Sequence, residues 1–361
     1  MRICIKIGTS SLTLPDGSVN QKYILNLSEQ ISKLRSKKNE ILVVSSGAIG
    51  AGLQCLKLKI KPKSLNAKQA LAAIGQPLVI NAYSKNFAKY SMAVAQILLT
   101  RDDFEKRQSY INLRNTLNYL ISNGVVPIVN ENDTVAVDEI KFGDNDTLAA
   151  LVSSAVNADK LIIFTDVDGF YAGHPSKASL IKVIDEITDE IESFAGSDST
   201  SEKGTGGMKT KIAAAKIASG SAIETIIANS SKVQFLEEIM EGKIGTVIKA
   251  SQNRIRAKKS WIAFSKKPKG FVFVDAKAAK IICERGKSLL SAGVVKISGN
   301  FKRGDTINIR VLNSSKDFAR GLTNYDNESL EKIKGKNTAA VNKIFPTSDD
   351  EIVNRDNLVL L

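Results

Sequence analysis

Residues Asn130 to Tyr171 read NENDTVAVDEIKFGDNDTLAALVSSAVNADKLIIFTDVDGFY. Two acidic-amide clusters stand in this stretch, Asn130-Glu131-Asn132-Asp133 and Asp144-Asn145-Asp146. The first follows Val125 to Val129, an apolar run that predicts a buried strand. The second stands just before Thr147-Leu148-Ala149-Ala150-Leu151, where a helix is predicted to begin. A second apolar run, Leu161 to Phe164, ends in Thr165-Asp166 and a glycine-bearing turn. In a parallel α/β sheet the strand ends feed the loops of the ligand-binding edge. The stretch therefore predicts Asp, Asn and Thr side chains along one rim, suited to a small polar molecule and to phosphates.

Toward the N-terminus the same grammar repeats. Arg2 to Ile7 predicts a first, central strand that runs into Gly8-Thr9-Ser10-Ser11. Gly8 lets backbone approach a ligand, and the hydroxyls and amide N–H groups after it suit phosphate oxygens. Lys6 is charged within this strand; by alternation it points away from Ile5 and Ile7. A snorkelling lysine and one aimed at the strand's C-terminal rim both fit that placement. Tyr23, Leu27, Ile31 and Leu34 share a helical face, and Ile41 to Val44 is a short strand before Ser45-Ser46-Gly47-Ala48-Ile49-Gly50-Ala51-Gly52. That order places a small-residue turn at a helix start, an anion site or a tight packing contact, without the G-x-G-x-x-G dinucleotide pattern. Leu65 to Phe87 is helical with Pro77 as a kink or break, Ala93 to Leu99 a strand, and Asn112 to Ile121 a helix closed by Asn123-Gly124.

Toward the C-terminus, Ser197 to Gly207 has the composition of a glycine-rich loop. It leads into Met208-Lys209-Thr210-Lys211 and an Ala-rich helix capped by Gly220, a second phosphate candidate with Lys211 as point charge. Ile223 to Ala228 is expected to be the last strand of this domain. Beyond Gln252 the texture changes to a basic linker with Trp261, then short strands at Gly270 to Val274, Gly293 to Ile297 and Gly304 to Val311 and a helix at Ala276 to Glu284. The expected division is a catalytic domain over residues 1–250, a linker over 251–267 and a small, mostly β domain over 268–361.

The chain has 361 residues, 43% of them hydrophobic, 24% charged, and a net charge of +14. Residues 251–361 hold 22 Lys and Arg against 11 Asp and Glu, a net +11, whereas the first 250 residues carry only +3. A basic excess confined to one end predicts either a solvated surface or an anionic partner such as RNA. No apolar run approaches membrane-spanning length, and Met1 to Ser10 enters a strand at once, so the expectation is a cytoplasmic protein with no membrane partner. Cys4, Cys55 and Cys283 are too few and scattered for a disulfide framework or a metal site. With His174 the only histidine, neither a Ser-His-Asp triad nor a His-based zinc site is available, and no protein-held metal is expected. Two lysines, two glycine-bearing anion turns and an acidic-amide loop fit phosphoryl transfer, which needs donors and cations around developing charge and Mg²⁺ on the phosphates.

Six motifs, Lys6-Ile7-Gly8-Thr9-Ser10, Ser45-Ser46-Gly47-Ala48-Ile49, Asn130-Glu131-Asn132-Asp133, Gly143-Asp144-Asn145-Asp146, Leu161 to Asp166 and the run Gly204 to Lys211, resemble in that order the bacterial glutamate 5-kinases of the amino acid kinase family. Residues Glu284 to Leu290 and Gly299 to Gly304 resemble the PUA domain that many of those enzymes carry. The resemblance implies a three-layer α/β/α sandwich with a mainly parallel central sheet, plus a C-terminal PUA domain. It implies transfer of the ATP γ-phosphate to the γ-carboxylate of L-glutamate, the first step of proline biosynthesis, with ATP and Mg²⁺ as cofactors, proline as feedback inhibitor and a homo-oligomer, dimer or tetramer. Carried over by position, Lys6 and Lys211 would clamp the phosphoryl group and Asp146 would orient them. Ser46, Asp133 and Asn145 would bind glutamate, with Ser46 and Asn145 donating to carboxylate oxygens and Asp133 pairing with the α-ammonium. Lys6, Gly8, Thr165, Asp166, Thr205, Gly206, Gly207, Met208, Lys209, Thr210 and Lys211 would bind ATP. Two positions depart from the pattern: His174 replaces an Asp in the turn after the nucleotide strand, and Asn354 stands where a His is common. N-acetylglutamate kinase, aspartokinase, uridylate kinase and carbamate kinase share the fold, but the paired acidic-amide motifs with a PUA tail point to glutamate. The alternative from another class is an RNA-binding protein acting through the basic PUA domain.

Overall fold

The computed structural model describes residues 1–361 except 59, 61, 137–144, 174–178, 197–206, 252–267 and 346–349. The chain divides into two compact units, Met1–Arg254 and Ile255–Leu361. In the first unit the described strands are β1 (Arg2–Lys6), β2 (Glu40–Val44), β3 (Val94–Leu99), β4 (Val126–Glu131), β5 (Lys160–Thr165), β6 (Phe170–Tyr171), β7 (Leu180–Ile181), β8 (Val183–Ile184), β9 (Glu224–Asn229) and β10 (Thr246–Ile248). The described α-helices are α1 (Thr9–Leu12), α2 (Gln21–Ser36), α3 (Ala48–Cys55), α4 (Leu65–Ala88), α5 (Arg101–Glu105), α6 (Arg107–Ser122), α7 (Asn145–Ala155), α8 (Asp189–Gly196), α9 (Met208–Gly220) and α10 (Leu236–Met240).

Eight strands make one sheet in the order β3-β4-β2-β1-β5-β9-β10-β8, and β6 pairs with β7 apart from it. The strands from β3 to β9 run parallel; only β10 opposes its neighbour β9. β1 lies in the middle, which is why its residues Ile3, Cys4 and Ile5 are wholly buried and why both of its faces must be apolar. The period of two sorts those faces. Ile3, Ile5 and Ile7 share a core with Ile24, Leu27 and Ile31 of α2 and Val79, Tyr83 and Phe87 of α4. Cys4 faces the other way, its Sγ 3.9 Å from the Ala149 carbonyl of α7. Desolvation there pushes the Cys4 thiol up to about 12, so it stays an inert core group, while Cys55 and Cys283 are exposed. Helices on both faces of a mainly parallel sheet make the α/β/α sandwich.

Several elements differ from their sequence reading. α4 runs through Pro77 without interruption. α6 begins at Arg107, five residues before its predicted start at Asn112, and α5 precedes it, started by a capping box between Thr100 and Asp103. α9 contains Gly220; the left-handed residue after it is Ala222, at φ 57°. The sheet continues past β9 through β10 and β8, of three and two residues, too short to show a pattern. α3 and α4 meet at backbone distance: a Cβ at Gly52 would overlap the Leu71 carbonyl, and one at Gly75 would overlap the Ala48 carbonyl. The small residues after β2 thus serve a helix–helix contact.

The second unit holds β11 (Gly270–Val274), β12 (Leu289–Leu290), β13 (Val294–Gly299), β14 (Thr306–Val311), β15 (Asp317–Leu322), β16 (Glu351–Val353) and β17 (Leu358–Leu360). Five of these form a sheet in the order β13-β11-β14-β15-β17, and β12 pairs with β16. Val272, Val274, Ile307, Ile309 and Ala319 bury one sheet face with Leu330, Ile333 and Val341 of helices Asn327–Ile333 and Thr338–Ile344. The sequence reading anticipated three of these strands and the helix Ala276–Arg285. The expected linker lies, apart from Ser251, outside the described residues.

Gly75→Ala is expected to destabilise the first unit by about 1–3 kcal/mol, since the added methyl must part α3 from α4. Calorimetric melting of the variant beside the parent checks this, and an unchanged Tm refutes the tight contact.

Candidate active site

Parallel register brings the C-terminal ends of five strands to one edge. Lys6 of β1 aligns with Val44 of β2 and Ile163 of β5, Val44 with Val129 of β4, and Thr165 with Asn229 of β9. The segments that leave this edge carry Gly8, Ser45-Ser46, Asn132-Asp133 and Asp166.

Lys6 shares the parity of Cys4 and so faces α7 rather than solvent. Its Nζ lies 2.6 Å from Asp146 Oδ1, in the first turn of α7. α9 packs beside α7 and delivers Lys211, whose Nζ is 3.3 Å from Asp146 Oδ2. Thr210 Oγ1 donates to that same oxygen at 2.9 Å. Asp146 is 0% exposed, Lys6 7% and Lys211 5%. Burial pushes the Asp146 carboxyl up, but the charges of Lys6 and Lys211 and hydrogen bonds from Lys6 and Thr210 outweigh it, holding it below the ordinary carboxylate range. One buried carboxylate therefore fixes two ammonium groups that come from opposite ends of the first unit. Gly8 lies beside them; a Cβ there would come 3.6 Å from Lys6 Nζ.

A chain of amides runs alongside. The two hydrogens of Asn145 Nδ2 are shared among three oxygens, the Ser45 carbonyl at 2.8 Å, Ser46 Oγ at 2.8 Å and Asn130 Oδ1 at 3.0 Å. Asn130 Oδ1 also accepts from Glu131 N at 2.9 Å, and Asn130 Nδ2 donates to Gln76 Oε1 of α4 at 2.9 Å. Tyr83 Oη lies 3.2 Å from Ser45 Oγ and steadies the same turn from below. Asn145 was expected to donate to a bound carboxylate; its amide hydrogens are instead spent on these protein oxygens. Ser46 accepts from Asn145 and keeps its own hydroxyl proton to donate.

The remaining candidates take various places. Asp133 lines a small recess with Gln76, Glu131, Asn132 and Thr134. Thr165 is buried and its Oγ1 donates to the exposed Asp166 at 3.1 Å. Gly207 precedes α9 as its N-cap, Lys209 is exposed, and Met208 packs on the cluster of Phe170 and Ile212. Thr205, Gly206 and His174 lie outside the described residues. Sequence reasoning passed over Gln76 as a site residue. Its one signal is a polar side chain on the stripe of α4 that also buries Leu71, Ala72, Val79 and Tyr83. Among the described residues no group of three or more His, Cys, Asp or Glu side chains is placed to hold a metal ion, and no helix is long and apolar enough to cross a membrane.

Comparison with known proteins bears on this edge. The profile of the amino acid kinase family matches residues 1–229, and that of the PUA domain residues 270–345. The chain is 49% identical over 366 aligned positions to glutamate 5-kinase of Thermoanaerobacter pseudethanolicus, covering 100% of this chain and 98% of the relative. It is 44% identical to glutamate 5-kinase of Dictyoglomus thermophilum, covering 100% of this chain and 97% of that one. Among solved structures, carbamate kinase from Giardia lamblia bound to AMP-PNP superposes with a TM-score of 0.52 at 16% identity, over 69% of this chain and 98% of that chain, a likeness of fold.

Removing the Asp146 charge leaves two buried ammonium groups facing each other. Asp146→Asn is expected to cost about 3–5 kcal/mol near neutral pH. Because the folded carboxyl titrates below its unfolded value of about 3.9, its contribution is complete above that pH and is lost as pH falls through the folded value. Melting curves from pH 7 to pH 2 should show parent and variant far apart at neutral pH and converging below about pH 4.

Proposed function

The chain belongs to the amino acid kinase family, and on that premise we propose that it transfers the γ-phosphoryl group of ATP to the γ-carboxylate of L-glutamate, giving L-glutamyl 5-phosphate, the first step of proline biosynthesis. The observation that carries the proposal is the pair of buried ammonium groups, Lys6 and Lys211, held on Asp146 at the strand edge. Negative charge on a transferring phosphoryl group spreads over its equatorial oxygens, and fixed cations beside it need no rearrangement at the moment of reaction. Asp146 keeps both lysines in place and compensates their burial while the site awaits its anion. The acceptor carboxylate is ionised at neutral pH, so the reaction needs no general base, in keeping with the scarcity of histidine.

In this reading Ser46 donates its hydroxyl proton to a glutamate carboxylate oxygen, Asp133 pairs with the α-ammonium, and Asn145 presents its oxygen rather than its nitrogen. Thr165, Asp166 and the segment from Thr205 to Lys211 flank the nucleotide, whose phosphates the start of α9 would face. Both oxygens of Asp146 are engaged by lysines and Thr210, so Mg²⁺ would be held chiefly by ATP itself, where it would supply positive charge against the phosphates. The proposal extends to a catalytic domain over residues 1–250, a linker over 251–267 and a PUA domain over 268–361. A cytoplasmic setting is kept from the sequence expectation, and a homo-oligomer and feedback inhibition by proline are carried over from the resemblance to bacterial glutamate 5-kinases.

A second reading concerns the C-terminal unit. Its sheet sets Arg310 over the Phe271 ring at 4.9 Å and Lys296 over the Phe273 ring at 5.7 Å, in a segment that holds 22 Lys and Arg against 11 Asp and Glu. Cations beside aromatic faces support RNA as an additional partner there.

Hydroxylamine trapping tests the kinase. Protein, ATP, Mg²⁺ and L-glutamate should yield γ-glutamyl hydroxamate; N-acetylglutamate and aspartate should not; Lys6→Ala and Lys211→Ala should each lower the rate by at least about 10²-fold. A folded, ATP-binding parent that yields no hydroxamate from any amino acid removes the proposal. For RNA, filter retention that falls steeply with salt and weakens in the Lys296→Ala, Arg310→Ala double variant is expected; no retention at low salt rejects that partner.

A further inference from the structure

The amide chain beside the lysines has a direction, and that direction is fixed by backbone. The Ser45 carbonyl can only accept, so the Asn145 atom 2.8 Å from it is nitrogen. The Glu131 amide can only donate, so the Asn130 atom 2.9 Å from it is oxygen. The other end of the Asn130 amide is then a donor in a buried place, and Gln76 Oε1 at 2.9 Å is the acceptor that receives it. With Asn145 Nδ2 spent on Ser45, Ser46 and Asn130, Asn145 Oδ1 is left buried and without a hydrogen-bond partner among the described residues. Buried acceptors are nearly always satisfied. An open one on the residue just before Asp146 is a place for a donor on the ligand, and a carboxylate oxygen cannot fill it.

We propose that Gln76 is a positioning residue for substrate selection: the Ser45 carbonyl sets which end of the Asn145 amide is nitrogen, and Gln76, by accepting from Asn130, holds Asn130 Oδ1 against Asn145 so that the amide stays in that pose and this point of the site demands an N–H donor. The inference rests on the reading that the site takes glutamate, and identifies the α-ammonium as the group that completes Asn145. Gln76 also lines the recess of Asp133, so one side chain ties the acceptor of Asn145 to the carboxylate expected at the same ammonium. A dicarboxylate of equal length without the amino group, glutarate, leaves Asn145 Oδ1 unpaired and is selected against for that reason.

The test measures kcat/KM for glutamate and for glutarate in the full chain. Gln76→Met keeps the volume and removes the acceptor; Gln76→Glu keeps an acceptor toward Asn130. The glutamate-to-glutarate ratio should fall about tenfold in Gln76→Met and stay within about twofold of the parent in Gln76→Glu, with the KM for ATP unchanged in both. Asn130→Ser cuts the chain at its middle and should give the same fall by an independent route, which covers the case of a Gln76→Met protein that does not fold. A ratio preserved in Gln76→Met or in Asn130→Ser, or lowered equally in the Met and Glu variants, overturns the inference. A parent inactive on glutamate overturns the kinase reading and this inference together; a selective parent with indifferent variants overturns only this one.

Discussion

Placing a carboxylate in a protein interior is unfavourable unless cations accompany it, and in this chain that rule organises the active edge. Asp146 is wholly buried, and two lysines close on its two oxygens. Each lysine is itself out of water and needs the carboxylate as much as the carboxylate needs it. The trio therefore locks β1, α7 and α9 to one another at a single point. Everything near it follows from that point: Thr210 turns its hydroxyl to the same oxygen, and Asn145, one residue before Asp146, is delivered to the Ser45-Ser46 turn. The trio brings one anion against two cations, a setting ready for phosphate oxygens.

The strands of the central sheet were legible because a strand buried on both faces has to be written as an apolar run, and Ile3 to Ile5, Ile41 to Val44 and Leu161 to Phe164 are such runs. Strands of two or three residues are too short to show such a run, and Val183–Ile184 at the edge and Thr246–Ile248 beside it left no trace. Lys6 was ambiguous for a physical reason. Parity gave the face it points to, but whether water or a carboxylate waits there depends on Asp146, far along the chain. Asn145 shows the limit more sharply. Residue type says that an amide can donate or accept, and only its neighbours decide which end faces outward. Here the Ser45 carbonyl and Asn130 decide it, against the donor role that the sequence reading had given it.

Glycines near the site had the same double meaning. Gly47 takes a left-handed conformation at φ 93° to turn the chain from β2 into α3, whereas Gly52 and Gly75 let α3 and α4 touch. The first shapes the Ser45-Ser46 turn directly. The others act at a distance, because the same stretch of α4 carries Gln76 under Asn130. A run of small residues after a strand thus described both a turn and a packing seam, and composition alone does not separate them.

The position of β1 also has a consequence in time. Its neighbour β2 is synthesised soon after it, but its other neighbour, β5, ends only at Thr165. During synthesis one full edge of a strand whose centre, Ile3 to Ile5, is apolar stays open until most of the catalytic unit has left the ribosome, and Lys211 arrives later still. An open apolar edge invites pairing with other chains. A nascent molecule of this kind is most exposed to aggregation, and to chaperones that mask strand edges, in the interval before β5 docks, and it can assemble its two lysines on Asp146 only once α9, which follows β5 in the chain, has emerged.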